Sequence, residues 1–373
     1  MKRKKKAVEK PARKTGRIKE KKGKVLSALK GLGDQLYLQL KQRQFPWIRM
    51  PNRSIYNIRY DQNSRQYVLG EKFAKRSSRN IKHIRPLTQL VWTASFVDEL
   101  RQQDRTSTLR DVFYSAQAYE MSFADQTESD NIITDLETVI GYSREDFNVF
   151  PEERSAIFGN LTVEYTVPGY EGKRLNLASH PDGMMIGPAL TNAEFAECKA
   201  DKVIVIEKGG LFTRFVEEKV HDKYKAVLVH TAGQAPRATR SLIRRLNKEL
   251  DLPVYIFCDA DPWGMHIAMV IISGSANAAH LRDLNTPDAK WAGVYASDIV
   301  EYDLPSDRLT DLDVKRLYEL QKDPRYEGKL WKREIETFLK VKKKAEQEAF
   351  SRYGLAYIVD KYLPAKLEEM EKC

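Results

Sequence analysis

The segment VYIFCDADPWGMHI, residues 254–267, decides the fold of the C-terminal half. It opens with a short apolar run that is typical of a buried strand, and two aspartates follow the run directly. Pro262 and Gly264 then indicate a turn into a helix, because proline is favoured in the first turn. The segment therefore predicts a strand, an acidic strand end and a helix in succession.

Two similar apolar runs precede this segment, KVIVIE at 202–207 and KAVLVH at 225–230. Helices are predicted at 211–220 and 236–250, between the three runs, and WAGVYA at 291–296 is a candidate for a further strand. Apolar, β-branched runs that alternate with helices predict a parallel sheet of βαβ units. In such sheets, functional residues gather at the carboxyl ends of the strands.

Three carboxylates follow two of these runs: Glu207 after the first, and Asp259 and Asp261 after the third. If the strands are neighbours, these side chains meet at one edge, where their mutual repulsion would be relieved by a cation. A set of oxygen ligands without histidine favours Mg²⁺ or Mn²⁺ over zinc. The alternatives are a helix cap for Asp261 and a solvated strand end for Glu207.

The N-terminal half predicts two consecutive helices. Apolar residues recur at helical spacing over 86–103, and Ser107 or Thr108 is suited to cap a second helix after a short turn. Further on, LTVEYTV and RLNLAS flank a Pro- and Gly-containing turn and predict a β-hairpin over 161–179. A helix-turn-helix with a later hairpin suggests a winged-helix domain, and a small α+β packing unit is the alternative.

Tyr114 lies in the second of these helices, four residues after Arg110. The predicted packing stripe of this helix consists of Leu109, Val112, Phe113 and Ala116, and it does not need the tyrosine. Packing, contact with nucleic acid and nucleophilic attack are the three roles to weigh for Tyr114.

In the segment GQAPRATR, Arg237 and Arg240 are candidates either for DNA phosphate contacts or for a solvated basic face.

The net charge of +11 is concentrated at the N-terminus. Residues 1–24 hold 13 lysines and arginines against two glutamates, which accounts for the whole excess, so the remaining residues are neutral overall. Such basic runs are usually disordered, and we expect a disordered tail there.

The longest apolar runs are far shorter than the roughly 20 residues that span a bilayer. Three widely spaced cysteines fit neither a disulfide framework nor a zinc site, and a cytoplasmic location is expected.

With a tyrosine in a helix-turn-helix and an E…DxD array downstream, the chain resembles the A subunits of archaeal topoisomerase VI. That family also includes the eukaryotic meiotic double-strand-break transesterase. The resemblance is carried, in the family's order, by STLRDVFY, ASHPDG, IVIEKGGLF, GQAPRATR and DADPWGMHI, and it runs from about residue 70 to the end. Many relatives have two adjacent tyrosines at the first motif, where this chain has Phe113 and Tyr114.

The resemblance implies a multidomain fold, α/β and α+β, in which a winged-helix domain bears the nucleophile and a parallel-sheet Toprim domain bears the metal. It implies Tyr114 as the nucleophile and Arg110 as a nearby basic helper. It implies Glu207, Asp259 and Asp261 as ligands of Mg²⁺, with Mn²⁺ as a substitute. The domains expected are a basic disordered tail (1–24), an arm (25–70), a winged-helix cleavage domain (71–190) and a Toprim domain with C-terminal helices (191–373).

Members of the family cleave DNA within an ATP-dependent type IIB topoisomerase. The resemblance implies a reversible 5′-phosphotyrosyl link and a transient double-strand break, which serves duplex passage, relaxation and decatenation. It also implies that the chain forms a homodimer on double-stranded DNA, in which each tyrosine works with the metal site of the other protomer. ATPase B subunits would complete an A2B2 heterotetramer, and this assembly would be associated with the nucleoid. ATP belongs to the B subunit, in agreement with the absence of a GxxxxGK[ST] loop here. A metal-dependent Toprim nuclease or primase-like enzyme and a non-catalytic winged-helix DNA-binding protein are the alternatives.

Overall fold

A computed structural model gives the fold of residues 15–282 and 284–372. The first part of the chain is mainly helical. Its elements are α1 (Thr15–Lys41), β1 (Trp47–Pro51), β2 (Ile58–Asp61), β3 (Gln66–Leu69), β4 (Phe73–Ser77), α2 (Ile81–Gln102), β5 (Ser107–Thr108), α3 (Leu109–Ala118), α4 (Gln126–Ile140) and β6 (Val149–Phe150). Helices α1 to α4 pack around one core, the helical cluster, which consists of the buried apolar side chains between Val25 and Val149.

The expectation of a disordered tail is wrong for residues 15–24, because these residues form the first turns of α1. Residues 1–14 lie outside the described part of the chain. Helix α1 is held by Val25, Leu29 and two further leucines at helical spacing, which are buried in the helical cluster. The basic side chains before them pair with the same unit, as in the 2.6 Å contact between Lys22 Nζ and Asp104 Oδ1. Apolar burial and these ion pairs order a segment whose composition alone resembles a tail.

Helix α2 begins at Ile81, five residues before the predicted start. Asn80 caps it by accepting a hydrogen bond from the Lys82 N–H, so that Pro86 lies inside the helix rather than at its first position. Helix α3 begins as predicted, after Thr108, whose hydroxyl accepts the Asp111 N–H. The Asp111 carboxylate accepts the Thr108 N–H in return, which completes a capping box.

The second part of the chain is built on a six-stranded sheet. Its elements are β7 (Ala156–Phe158), β8 (Leu161–Glu164), β9 (Arg174–Asn176), β10 (Met184–Met185), α5 (Pro188–Thr191), β11 (Glu194–Cys198), β12 (Lys202–Ile206), α6 (Gly209–Glu217), α7 (Val220–Lys223), β13 (Ala226–His230), α8 (Arg237–Leu250), β14 (Val254–Phe257), α9 (Pro262–Ser273), β15 (Lys290–Gly293) and α10 (Ala296–Glu301). The strand order is β10-β7-β13-β12-β14-β15. Strands β13, β12, β14 and β15 are parallel, which confirms the predicted βαβ sheet.

The remaining elements pack against β15, α9 and α10. They are β16 (Asp307–Arg308), α11 (Asp311–Gln321), α12 (Lys329–Val341), β17 (Lys343–Lys344) and α13 (Leu363–Lys372). Together with the sheet they enclose a second core, the sheet cluster, which consists of the buried apolar side chains between Ile157 and Met370. In the described ranges, no helix has both the length and the apolar content to cross a membrane.

The predicted hairpin forms, since β8 and β9 pair antiparallel with Val163 opposite Leu175. However, its buried side chains Leu161, Val163 and Leu177 belong to the sheet cluster and not to the helical cluster. The sequence-based grouping of this hairpin with the two helices is therefore wrong. Side chains alternate between the two faces of a strand, so one face of the hairpin is apolar. This face packs against the sheet.

Candidate active site

Tyr114 is exposed on α3. About half of its surface is open to solvent (55%), whereas Val112 and Ala116 of the same helix are fully buried. Leu109 and Phe113 pack against the helical cluster from its margin, so the predicted packing stripe of α3 is confirmed. The ring of Tyr114 meets that of Phe113 edge to face at 5.3 Å. The hydroxyl of Tyr114 is thus not required by the core.

Arg110 lies one turn before Tyr114 on the same helix. Its guanidinium is exposed and has one distant ionic neighbour, with 3.9 Å between Arg110 Nη1 and Glu152 Oε1. A pair as exposed and as long as this contributes little to stability. Arg110 therefore remains available to an anionic ligand that approaches the tyrosine.

Glu207, Asp259 and Asp261, here called the acidic edge, lie at the carboxyl ends of two adjacent strands. Strands β12 and β14 pair in parallel with Ile206 opposite Phe257, which brings the residues that follow them together. The Asp259 N–H donates a hydrogen bond to Glu207 Oε2 at 3.1 Å. The sheet thus joins two segments that are about 50 residues apart in sequence.

Burial and mutual repulsion perturb these carboxyl groups. Burial, followed by the negative charge of Asp259, raises the pKa of Glu207 to about 7. Burial likewise raises the pKa of Asp259 to about 6, against the opposing effects of a backbone N–H and a lysine. The pKa of Asp261 is also raised, again chiefly by burial. Glu207 is therefore not the solvated strand end that was the alternative interpretation.

Asp261 is the N-cap of α9, because its Oδ1 accepts the Gly264 N–H at 2.5 Å. The turn between strand and helix is tight at this point. A Cβ at Gly264 would lie 2.2 Å from the Asp259 carbonyl oxygen, so no other residue fits without a shift of the backbone. The capping role of Asp261 is thus realised, and the same turn fixes its position relative to Asp259.

Two residues that the sequence did not reveal hold the acidic edge. Lys208 Nζ lies 3.1 Å from Asp259 Oδ2 and 3.5 Å from Glu346 Oε1. Fully buried Gln347 donates its backbone N–H to Asp259 Oδ1 at 3.0 Å and accepts the Lys208 N–H at its side-chain oxygen at 3.2 Å. The local sequence predicts only a turn at Lys208, and Gln347 carries no sequence signal because it lies 88 residues from Asp259.

The acidic edge fits a hard divalent cation in its chemistry. Its donors are carboxylate oxygens, and the ammonium of Lys208 already occupies the position of a cation beside Asp259. The carboxylates do not converge on one point: among the residues that the structure describes, no group of three or more His, Cys, Asp or Glu side chains is arranged to hold a metal. Ligation by all three would therefore require side-chain rearrangement.

Tyr114 and the acidic edge are built on different clusters. Within 15–282 and 284–372, no hydrogen bond, ion pair or ring contact joins the tyrosine to Glu207, Asp259 or Asp261. The structure thus brings the three carboxylates together and leaves the tyrosine apart from them. One chain presents two separate groups of candidate residues.

Arg240 is buried and the Arg237 side chain is only 11% exposed, which excludes a solvated basic face. Arg237 Nη1 is 2.6 Å from Glu137 Oε1, and His280 Nε2 is 2.9 Å from Glu137 Oε2. Burial lowers the pKa of Arg240 to about 10. Because Glu137 belongs to α4, these contacts join the two halves of the chain.

Comparison with known proteins finds a matching family for each half of the chain. Residues 202–367 match the Toprim domain of the Topoisomerase 6 A-subunit/Spo11 family, and residues 85–149 match the family described as Type IIB DNA topoisomerase. The chain is 47% identical to the A subunit of type 2 DNA topoisomerase 6 from Methanothermobacter thermautotrophicus over 93% of its own length and 98% of that protein. It is 38% identical to the proteins of the same name from Archaeoglobus fulgidus (95% and 99% covered) and Halobacterium salinarum (92% and 95% covered).

These matches cover nearly the whole chain, and one of them places a Toprim domain on the parallel sheet that carries the acidic edge. The chain therefore belongs to the family of the A subunits of type 2 DNA topoisomerase 6.

Proposed function

We propose that this chain is the DNA-cleaving subunit of an ATP-dependent type IIB topoisomerase, with Tyr114 as its nucleophile. The observation that carries the proposal is the exposed hydroxyl of Tyr114 on a capped helix within a chain of this family. Phe113, which precedes it, has no hydroxyl, and the core does not need the tyrosine. Tyr114 is thus the candidate at this motif that is free to reach a DNA backbone.

The reaction is a transesterification. The Tyr114 oxygen attacks a DNA phosphorus, the bond to the 3′ oxygen breaks, and the 5′ phosphate remains on the tyrosine as an ester that the 3′ hydroxyl can reverse. A phenol has a pKa of about 10, so the attack needs a positive charge or a base nearby. Arg110, one turn away, is suited to stabilise charge on the phenolate and on the phosphorane.

Glu207, Asp259 and Asp261 are proposed to hold Mg²⁺ through their carboxylate oxygens, with Mn²⁺ as a substitute. Such an ion, when bound, stabilises the scissile phosphate and the leaving 3′ oxygen. The chain contributes the positions of these ligands. The N–H of Gln347 and the N-cap geometry at Gly264 orient Asp259 and Asp261 respectively.

The separation of Tyr114 from the acidic edge supports a homodimer in which each tyrosine works with the carboxylates of the other protomer. Partnership with ATPase B subunits, giving an A2B2 assembly on nucleoid DNA, is proposed from family membership. The domain division that we propose follows the two cores: a helical unit of about 15–150, which would form the expected winged-helix domain without the hairpin at 161–179, and a Toprim unit of about 155–372. The proposed site then lies between chains.

The test compares Tyr114→Phe with Tyr119→Phe. Tyr119 is a matched control, because it is exposed to a similar degree and is the C-cap residue of the same helix. Each variant is incubated with supercoiled DNA, Mg²⁺ and the B subunit, and protein bound covalently to 5′ ends is measured after denaturation. We expect no adduct with Tyr114→Phe, near-normal DNA binding by both variants and normal adduct formation with Tyr119→Phe.

An adduct formed by Tyr114→Phe contradicts the assignment of the nucleophile. Products of the wild type with free 5′ phosphates and no attached protein would indicate a metal-dependent Toprim nuclease instead. Binding without any cleavage, unchanged by Asp259→Asn, would indicate a non-catalytic DNA-binding protein.

A further inference from the structure

Lys208 is positively charged, as is the metal proposed to bind beside it, and its ammonium is in direct contact with one of the proposed ligands. It directly follows Glu207 at the end of β12, and its side chain is about one-third exposed (32%). Its ammonium lies 3.1 Å from Oδ2 of Asp259, whose own side chain is almost fully buried. The lysine therefore neutralises a buried carboxylate from the solvent side.

The lysine also has a second partner within reach. Glu346 Oε1 lies 3.5 Å from Lys208 Nζ, and the Glu346 side chain is largely exposed (69%). The segment that bears Glu346 is fixed against the acidic edge by two backbone hydrogen bonds between Ala260 and Ala345, of 2.9 and 3.1 Å. A small movement of a flexible lysine side chain thus exchanges the buried partner for the exposed one.

We propose that Lys208 is an internal counter-ion: its ammonium holds Asp259 when no metal is bound and moves to Glu346 when a divalent cation enters. This inference rests on the proposed function, because it concerns the metal site of that function. It assigns Lys208 and Glu346 as positioning residues that set the metal affinity.

The electrostatic argument gives the direction and the size of the effect. The ammonium beside Asp259 Oδ2 occupies one acceptor site of that oxygen and repels a divalent cation there, so metal binding favours displacement of the lysine. A lysine left about 5 Å from a divalent ion in a water-like dielectric weakens binding by on the order of tenfold. Transfer to Glu346 moves the positive charge away from Asp259 and reduces this penalty.

Removal of the lysine therefore has two opposite consequences. The metal-free protein loses the compensation of a buried charge and becomes less stable, whereas Mn²⁺ binds more tightly because nothing competes with it. Removal of Glu346 leaves the lysine without its second partner, and Mn²⁺ then binds more weakly.

The experiment measures Mn²⁺ binding to the metal-free chain by electron paramagnetic resonance at pH 8, together with the melting temperature in EDTA. The variants are Lys208→Met, Glu346→Gln and Lys30→Met. Lys30→Met is the control, because Lys30 forms an exposed ion pair with Asp34 on α1 and its loss changes the net charge equally. We expect the dissociation constant to fall on the order of tenfold in Lys208→Met, to rise in Glu346→Gln and to stay unchanged in Lys30→Met.

A lower melting temperature in EDTA for Lys208→Met, with a larger rise on addition of Mn²⁺, also supports the inference. Equal or weaker Mn²⁺ binding by Lys208→Met overturns it, as does a loss of DNA affinity with unchanged Mn²⁺ binding, which would make Lys208 a DNA contact. Failure of the wild type to bind Mn²⁺ at all would contradict the proposed metal site itself, so the two failures are distinguishable.

Discussion

Glu137 joins the two halves of the chain, and its removal has a large predicted cost. Its side chain is fully buried and accepts hydrogen bonds from the Arg144 N–H at 2.7 Å, from Arg237 at 2.6 Å and from His280 at 2.9 Å. Although burial acts to raise the pKa of Glu137, the hydrogen bond with His280 and the charge of Arg237 hold it below its usual value. The folded protein thus contains a charged carboxylate between its two units.

The substitution Glu137→Gln removes this charge and keeps the volume. Loss of one partner of a buried ion pair costs about 3–5 kcal/mol, because the remaining charge stays buried without compensation. Free energies of unfolding are about 5–15 kcal/mol, so the loss is a large fraction of the total. A double-mutant cycle with Arg237→Met should show a coupling free energy of about 1–3 kcal/mol.

The assay is urea unfolding, followed by circular dichroism and by tryptophan fluorescence. Asp135→Asn is the matched control, because Asp135 is on the same helix and pairs with Arg53 and Arg76, both at 2.7 Å, within the helical unit. We expect both substitutions to destabilise the protein, and Glu137→Gln alone to separate the unfolding of the helical unit from that of the sheet. A destabilisation by Glu137→Gln of less than about 1 kcal/mol, with no coupling to Arg237, would refute the reasoning.

Three further predictions concern the acidic edge and its surroundings. Gly264→Ala should abolish cleavage and weaken Mn²⁺ binding, because the new Cβ would lie 2.2 Å from the Asp259 carbonyl oxygen; the matched Gly33→Ala, in a helix with open space around it, should keep metal binding. Gln347→Met should weaken Mn²⁺ binding while DNA affinity is retained, because its side-chain oxygen no longer orients the turn after Glu207; unchanged metal binding would contradict this. Burial lowers the pKa of His266 to about 4, so the unfolded chain takes up the proton first and stability falls as the pH drops from about 6.5 to 4. In melting curves over this range, His266→Phe should lack that part of the loss.

The sheet and its acidic edge were predictable from the sequence, because both depend on local periodicity. Buried strands of a parallel sheet are apolar throughout, and the residues that end them are adjacent in space whenever the strands are neighbours. The hairpin at 161–179 was predictable as a hairpin for the same reason. The core against which the hairpin packs was not predictable, because a strand pattern shows which face is apolar but not which apolar surface covers that face.

Lys208, Gln347 and the network around Glu137 were not predictable from local pattern. Most of these contacts join segments about 50 to 140 residues apart, and polar residues at such distances follow no period. For residues 15–24, the basic composition predicted disorder wrongly, again because the stabilising contacts come from other parts of the chain. There, a basic run is ordered by apolar residues that begin just after it and by acidic partners elsewhere in the helical unit.

The buried network at Glu137 also bears on how the two halves of the candidate site can meet. Tyr114 is on α3, which packs in the helical cluster with α4, and Glu137 ties α4 to the start of α8 in the sheet unit. If Tyr114 reached the acidic edge of its own chain by a movement of α4 away from α8, this network would break, at a cost of several kcal/mol. If it acts on a phosphate held by a second chain, the network can remain intact and fixes each tyrosine relative to its own acidic edge. The buried carboxylate therefore supports the proposed cleavage between protomers, in which a rigid junction would keep the spacing between the two cuts constant.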